Sequence, residues 1–317
     1  MVAERRIPPP VRIGIAGLLV LSGLLPLSAR PVSAAVPDPA DDPSRVSLTT
    51  LQPRTSAAPY DLGRVYRDGC HVARATTSPT HCTYGRRDGT KVVVVIGDSV
   101  IAQWWAAIDG AARRGGWRVV WMSKTACPAA DVTISSGSSR YAACDTWRRN
   151  VLTKVRNLPR VDLLVMSGSS RSTLLRRANW AVITDPDAER MEWEAGYRRT
   201  VDRVAGQVRR VVILRDTPSF RFLVPSCLVA KAGWTQPCSG LRSTSLEALH
   251  WQAETAVDAR YAWVRATDMA DWICQPTRCW PVTSNRILRY RDAHHLTNTY
   301  SAALAPAMYS RLRWLMR

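Results

Sequence analysis

Lysine is nearly absent, with four residues (Lys91, Lys124, Lys154, Lys231) against 40 arginines in 317 residues. The formal charge of +19 is therefore an arginine charge, spread singly or in pairs such as Arg113-Arg114, Arg148-Arg149 and Arg198-Arg199. No Lys/Arg block, zinc-finger spacing or aromatic RNA signature accompanies it, which argues against a nucleic-acid partner. A basic exterior of this kind suits anionic surfaces such as cell-wall polymers or lipid headgroups. Phenylalanine is scarcer still, two residues beside 13 tryptophans, and this bias reads as genomic base composition. Beyond the N-terminus there is no long apolar run, which excludes a multi-pass membrane protein. No Cys-x-x-Cys occurs, so zinc and thioredoxin-type chemistry find no support. Histidine is limited to five residues, which leaves few candidate bases.

What is present suits one globular domain of α/β size: 46% hydrophobic and 22% charged residues. Residues 1–34 carry Arg5, Arg6 and Arg12, then an apolar stretch over 13–27, then Val32-Ser33-Ala34-Ala35. This is the pattern of a secretory signal peptide, with an uncleaved anchor helix as the alternative. Cleavage after Ala34 leaves a formal charge of +16. Residues 35–65, rich in Pro, Ala, Ser and Asp, read as a flexible linker, and the domain proper is expected over 66–317.

All eight cysteines lie beyond the signal and fall into local couples. Cys70 is expected to pair with Cys82, Cys127 with Cys144, Cys227 with Cys238, and Cys274 with Cys279. Pairing each with its neighbour is the simplest of 105 connectivities and implies an oxidising, extracytoplasmic compartment.

Five strands are expected, over 91–96, 117–122, 161–166, 210–214 and 261–264. The first, with Val92 to Val95 in succession, has the pattern of a strand buried on both faces. Helices are expected over 101–114, 145–157, 186–208, 243–256 and 297–315. This alternation predicts a parallel five-stranded sheet in a three-layer α/β/α flavodoxin-like sandwich. Active sites in such sheets lie outside the carboxyl ends of the strands.

The first strand ends in Gly97-Asp98-Ser99. A serine at a strand-to-helix turn can act as nucleophile and offer its own N–H to an oxyanion; a helix N-cap is the bland alternative. Of the histidines, His71 and His81 lie between Cys70 and Cys82 and His250 lies mid-helix, ordinary positions. His294 and His295 differ, because Asp292 precedes His295 by three residues. On a helical turn that spacing lets the carboxylate accept from Nδ1 and leaves Nε2 for a serine. His294 then serves as a helix-start residue or substrate contact. The α/β-hydrolase elbow is excluded, since position 101 is Ile where Gly-x-Ser-x-Gly requires glycine.

With these residues the chain resembles SGNH (GDSL-like) hydrolases and acyltransferases. It is most similar to the extracytoplasmic SGNH domains of membrane acyltransferase-3 proteins, which O-acylate cell-surface glycans. The resemblance spans residues 66–317. It rests on Cys70…Cys82, Gly97-Asp98-Ser99 with Ala102-Gln103-Trp104, Lys124-Thr-Ala-Cys-Pro128, Cys144-Asp-Thr-Trp147, Asp162–Met166 and Tyr290-Arg-Asp292…His295-Leu-Thr297. It implies Ser99 as nucleophile, His295 as base and Asp292 as its orienter, with no metal and no diffusible cofactor. The sequence departs from the family at Val100-Ile101 and lacks the Gly-x-Asn-Asp block, so the oxyanion donors are expected from the backbone of Ser99 and of Gly168. Asn285 is then structural. Trp104 is the candidate for lining the cleft, while Trp105, Trp121 and Trp147 are expected chiefly in the core.

The resulting expectation is a secreted or membrane-tethered serine O-acyltransferase acting on a cell-envelope glycan or glycolipid, with a separate multi-pass acyltransferase as donor. The alternatives are an acyl-ester hydrolase on similar substrates and a non-catalytic glycan-binding module of the same fold.

Overall fold

The valine run forms the spine of the domain in a computed structural model that describes residues 44–317. The signal peptide and residues 35–43 of the expected linker lie outside the described residues. The central sheet has seven strands: β1 His71–Val72, β2 Cys82–Gly85, β3 Lys91–Gly97, β4 Trp117–Lys124, β5 Leu163–Met166, β6 Val211–Leu214 and β7 Val264–Thr267. Strands β3 to β7 are mutually parallel in the order β4-β3-β5-β6-β7. Two short strands absent from the expectation, β1 and β2, share the outer edge of β4, β1 parallel and β2 antiparallel. They cap what would be an open edge.

Period-two alternation divides the core into two layers. Val93, Val95, Val119, Trp121, Leu163 and Val165 face one side, and Val92, Val94, Ile96, Val120, Leu164 and Met166 the other. The first side is covered by α2 Trp105–Gly115 and the C-terminal helices α6 Asn298–Ala303 and α7 Ala305–Leu312. The second is covered by α3 Ala142–Arg156, α4 Pro186–Val204 and α5 Ala248–Arg260. The α/β/α sandwich is therefore as expected, with two more strands than the pattern gave.

Several boundaries move for physical reasons. The last strand was expected over 261–264 but begins at Val264. Helix α5 runs on to Arg260, and the Asp258 carboxylate accepts from the Ala266 N–H at 2.9 Å, so residues 261–263 form the turn between them. The helix expected over 101–114 is split into one turn, α1 Ser99–Ala102, and α2. The C-terminal helix is likewise interrupted at Leu304, where Pro306 starts α7. The linker expectation is corrected over residues 44–65, which pack on the domain. Leu51 and Ala58 are buried, Leu288 N–H donates to Gln52 O at 2.8 Å, and Asn298 N–H donates to Asp61 O at 3.0 Å. Proline and serine content hid the widely spaced apolar anchors Val46, Leu51 and Ala58.

All four expected disulfides are present, and no cysteine is free among the described residues. Cys70 bonds Cys82 and joins the starts of β1 and β2. Cys127 bonds Cys144, tying the loop after β4 to the first turn of α3. Cys227 bonds Cys238 and ties the short helix Val224–Ala230 to the turn that follows it. Cys274 bonds Cys279, closing a tight loop across a sequence separation of 5. Cys238 and Cys279 are both fully buried, so these two bridges are anchored in the core. No helix among the described residues is long and apolar enough to cross a membrane.

Candidate active site

The carboxyl ends of β3, β5 and β6 converge on one surface, and the functional side chains sit there. Gly97 closes β3 at φ +143°, where an added Cβ would lie 2.4 Å from Ser167 O. Only glycine fits both the angle and the approach. Asp98 caps α1, its carboxylate accepting from Val100 N–H at 2.8 Å and from Ser169 N–H at 2.7 Å. One buried side chain thus fastens the turn after β3 to the turn after β5.

Ser99 opens α1 and points its hydroxyl at the loop before α6. Its Oγ lies 2.9 Å from His295 Nε2, and His295 Nδ1 lies 2.7 Å from Asp292 Oδ2. The other Asp292 oxygen accepts the backbone N–H groups of His294 and His295 at 2.8 and 2.7 Å. The carboxylate therefore orders the loop as well as the ring. This is the constellation of a serine made nucleophilic by an oriented imidazole.

The backbone supplies the rest. Neither Ser99 N–H nor Gly168 N–H donates a hydrogen bond within the described residues. The Gly168 turn is held from below by the Lys124–Pro128 segment. Ala129 N–H donates to Ser167 O at 3.1 Å, and a Cβ on Gly168 would meet Pro128 Cβ at 2.4 Å. Close packing of the two loops requires glycine at 168.

A family model described as the SGNH domain (fused to AT3 domains) matches residues 69–310. The chain belongs to that SGNH family. Its structure superposes on the periplasmic domain of a lipopolysaccharide acetyltransferase of Salmonella ser. Paratyphi A with a TM-score of 0.51 at 11% identity, covering 78% of this chain and 88% of that one. A carbohydrate esterase family 2 enzyme with its carbohydrate-binding domain, from Corynascus thermopiles (Myceliophthora fergusii), gives a TM-score of 0.41 at 11% identity over 72% and 67%. No curated protein matches the sequence significantly. Family and fold together support an acyl-ester-transferring enzyme.

Within this SGNH domain the electrostatics follow from burial. Burial alone would raise the Asp292 carboxyl. The hydrogen bond and charge of His295, with the two backbone N–H groups, outweigh it and hold the group below the usual carboxylate range. Asp292 therefore stays ionised wherever the imidazole works. Burial pushes Asp98 up to about 6 against the pull of its two N–H donors. His294 is lowered to about 4 by burial, then by the charges of His295 and Arg171.

Among the described residues the cluster Asp292, His294 and His295 could also ligate a metal ion. It consists of the triad's own groups, so an ion there would compete with the serine–histidine contact.

Two residues missed in the sequence prove central. Gln103, buried one turn beyond Ser99, accepts the Leu296 N–H at 2.5 Å and donates to Val100 O and Thr217 Oγ1. Thr217 Oγ1 in turn donates to His294 O at 2.7 Å. Gln103 therefore sets the height of the histidine loop over α1. Removing its oxygen in Gln103→Leu leaves a buried N–H unpaired, a cost of about 1–3 kcal/mol. We expect kcat to fall roughly tenfold or more, as a misplaced group does, with Gln103→Glu, which keeps the acceptor, retaining more. Steady-state kinetics of both variants checks this. Asp216 is the second: Ser170 N–H, Ser170 Oγ and Arg171 Nη1 all donate to its Oδ2. Its signal was its place just past β6, at a strand end.

Trp104, expected to line the cleft, requires correction. It is fully buried in the core beneath α1, as is Trp121, and Trp147 is 1% exposed. Trp104 lies at the break between α1 and α2. His294 is half-buried beside His295, ring centroids 4.1 Å apart. Asn285 is exposed on a turn. His250 is a core residue, bonded to Tyr197 at 3.2 Å.

His71 is less ordinary than its place in the sequence suggests. Burial lowers it to about 4, and the charges of Arg291, His295 and Lys124 add to the shift. A histidine at about 4 when folded and about 6.5 when unfolded gives stability that is complete above pH 6.5 and lost as pH falls toward 4. Asp98 acts with the opposite sign, its contribution weakening as pH rises through 6. We expect His71→Gln to flatten the loss of stability between pH 6.5 and 4, read from urea midpoints across that window.

Proposed function

We propose that the protein is a serine-dependent O-acyltransferase acting on an extracytoplasmic glycan or glycolipid through an acyl-Ser99 intermediate. The observation that carries this reading is the unbroken Ser99–His295–Asp292 hydrogen-bond chain. His295 Nε2 takes the Ser99 proton as Oγ attacks the donor carbonyl. The oxyanion rests on the Ser99 and Gly168 N–H groups. His295 returns the proton to the leaving oxygen, and the acyl-enzyme remains. A sugar hydroxyl then loses its proton to His295, attacks the acyl carbon and leaves as the ester, restoring Ser99.

The family's coupling to AT3 domains supports a multi-pass membrane acyltransferase as the source of the acyl group. The four disulfides support an oxidising compartment, with the chain secreted or held at the outer face of the membrane. The half-buried His294, packed on His295, is assigned to the acceptor.

The test incubates the disulfide-bonded protein with an activated acyl ester, with and without oligosaccharides, and follows protein and sugar by mass spectrometry. Acyl transfer to sugar is the expected result. Transfer to water alone makes the protein an esterase. No adduct on folded protein makes it a binding module.

A further inference from the structure

Of the six backbone N–H groups from Ser167 to Ser172, only that of Gly168 has no acceptor among the described residues. Ser167 N–H donates to Ile96 O, Arg171 N–H to Ser169 Oγ and Ser172 N–H to Ser169 O. The two N–H groups directly after Gly168 go to carboxylates from different strand ends. Ser169 donates to Asp98, just past β3, at 2.7 Å, and Ser170 donates to Asp216 Oδ2, just past β6, at 2.9 Å. The Gly168 N–H shares a peptide with Ser167 O, which accepts from Ala129 N–H at 3.1 Å. That peptide is trans, so its N–H points away from its carbonyl and from Ala129.

Asp216 is 7% exposed and both its oxygens are engaged. Oδ2 also accepts from Ser170 Oγ at 2.8 Å and Arg171 Nη1 at 3.1 Å, and Oδ1 accepts from Thr217 N–H at 2.7 Å. Burial would raise this carboxyl, but the Arg171 charge and the Ser170 donors outweigh it and hold the group below the usual carboxylate range. Its hydrogen bonds are therefore charge-assisted, the stronger kind. Thr217, the next residue, donates from Oγ1 to His294 O at 2.7 Å and accepts from Gln103 Nε2 at 3.2 Å. Two adjacent residues thus hold the turn after β5 on one side and the histidine loop on the other.

We propose that Asp216 is a positioning residue for acyl transfer, holding the turn after β5 so that the Gly168 N–H meets the oxyanion, while Thr217 beside it holds the loop of His295. The inference rests on the acyl-Ser99 reading above. The sequence has no Gly-x-Asn-Asp block to supply a side-chain donor, so stabilisation of the oxyanion depends on the direction of backbone N–H groups. Carboxylates on two consecutive amides fix that direction. In Asp216→Asn, either orientation of the amide sets its NH2 against a donor. One orientation faces Thr217 N–H, and the other faces the Ser170 and Arg171 donors. The turn is then released with almost no change in side-chain volume.

The experiment compares p-nitrophenyl acetate with its thionoester, which carries C=S in place of C=O, on wild type, Asp216→Asn, Ser170→Ala and Thr217→Val. Sulfur accepts an N–H weakly, so the ester-to-thionoester ratio of kcat/KM reports the contact made with the oxyanion. Asp216→Asn is expected to lower kcat on the ester roughly 100-fold, with KM within about twofold, and to lower the ratio roughly tenfold or more. Ser170→Ala, which removes one donor and keeps the carboxylate, shifts the same ratio less, and it carries the test should Asp216→Asn fail to fold. Thr217→Val loses kcat with the ratio intact, because its hydroxyl acts on the histidine loop. An unchanged ratio in Asp216→Asn and Ser170→Ala, a loss lodged in KM, or an equal fall of the ratio in Thr217→Val overturns the assignment and leaves the Ser99 reading standing. Should wild type turn over no ester, the Ser99 reading fails. Hydrogen exchange of peptides covering residues 167–172 then judges the hold on the turn by itself: faster exchange in Asp216→Asn is expected, and unchanged exchange overturns it.

Discussion

Replacing Ser99 with alanine is expected to lower acyl turnover by roughly 10⁴- to 10⁶-fold, the range seen when a nucleophile acting as part of a triad is lost. The variant removes one oxygen whose only described partner is His295 Nε2, at 2.9 Å. The loss should appear in kcat, since the hydroxyl forms its new bond only on the way to the transition state. A residual rate above water is expected, because the Ser99 and Gly168 N–H groups are backbone and survive the change. Stability should move by less than about 1 kcal/mol, as one half-buried hydrogen bond is exchanged for water. Burst-phase kinetics with an activated ester, alongside intact-protein mass spectrometry, would check both. A Ser99→Ala variant that still forms the adduct assigns the nucleophile elsewhere.

The second large effect is structural. Gly97→Ala is expected to cost about 3 kcal/mol or more, from strain at φ +143° and a Cβ 2.4 Å from Ser167 O. In a domain of this size that lowers Tm by roughly 6–10 °C. The clash also pushes β3 from the turn after β5. Asp98 spans those two turns through Val100 and Ser169, so Ser99 and the Gly168 N–H, the pair proposed above as nucleophile and oxyanion donor, separate. Activity should therefore fall further than stability explains, even at temperatures where the variant is fully folded. Thermal unfolding by circular dichroism and kinetics well below Tm would separate the two losses.

The parts of this protein that its sequence revealed are those fixed by short-range chemistry. A short β-branched run favours a buried strand, and the Asp292-to-His295 spacing closes a ring within one turn of chain. Neighbouring cysteines paired for the same reason, Cys227 with Cys238 and Cys274 with Cys279 among them. Features that depend on distant segments meeting remained hidden. Gln103 gives no local sign that its amide will meet Leu296, 193 positions away. Residues 44–65 look like a tether until Leu51 finds a core and Gln52 finds the backbone around Leu288. Trp104 follows Ser99 closely in sequence, yet it is fully buried in the core at the break between α1 and α2. The edge strands β1 and β2 are too short to carry a pattern.

The four disulfides bridge sequence separations of 12, 17, 11 and 5, each joining a cysteine to the next one along the chain. A polypeptide threading outward from its N-terminus presents these thiols two at a time, each with its proper mate next to arrive. An oxidant that couples cysteines in order of emergence produces the native set directly. Biogenesis of this domain should therefore call on a thiol oxidase and make little demand on an isomerase.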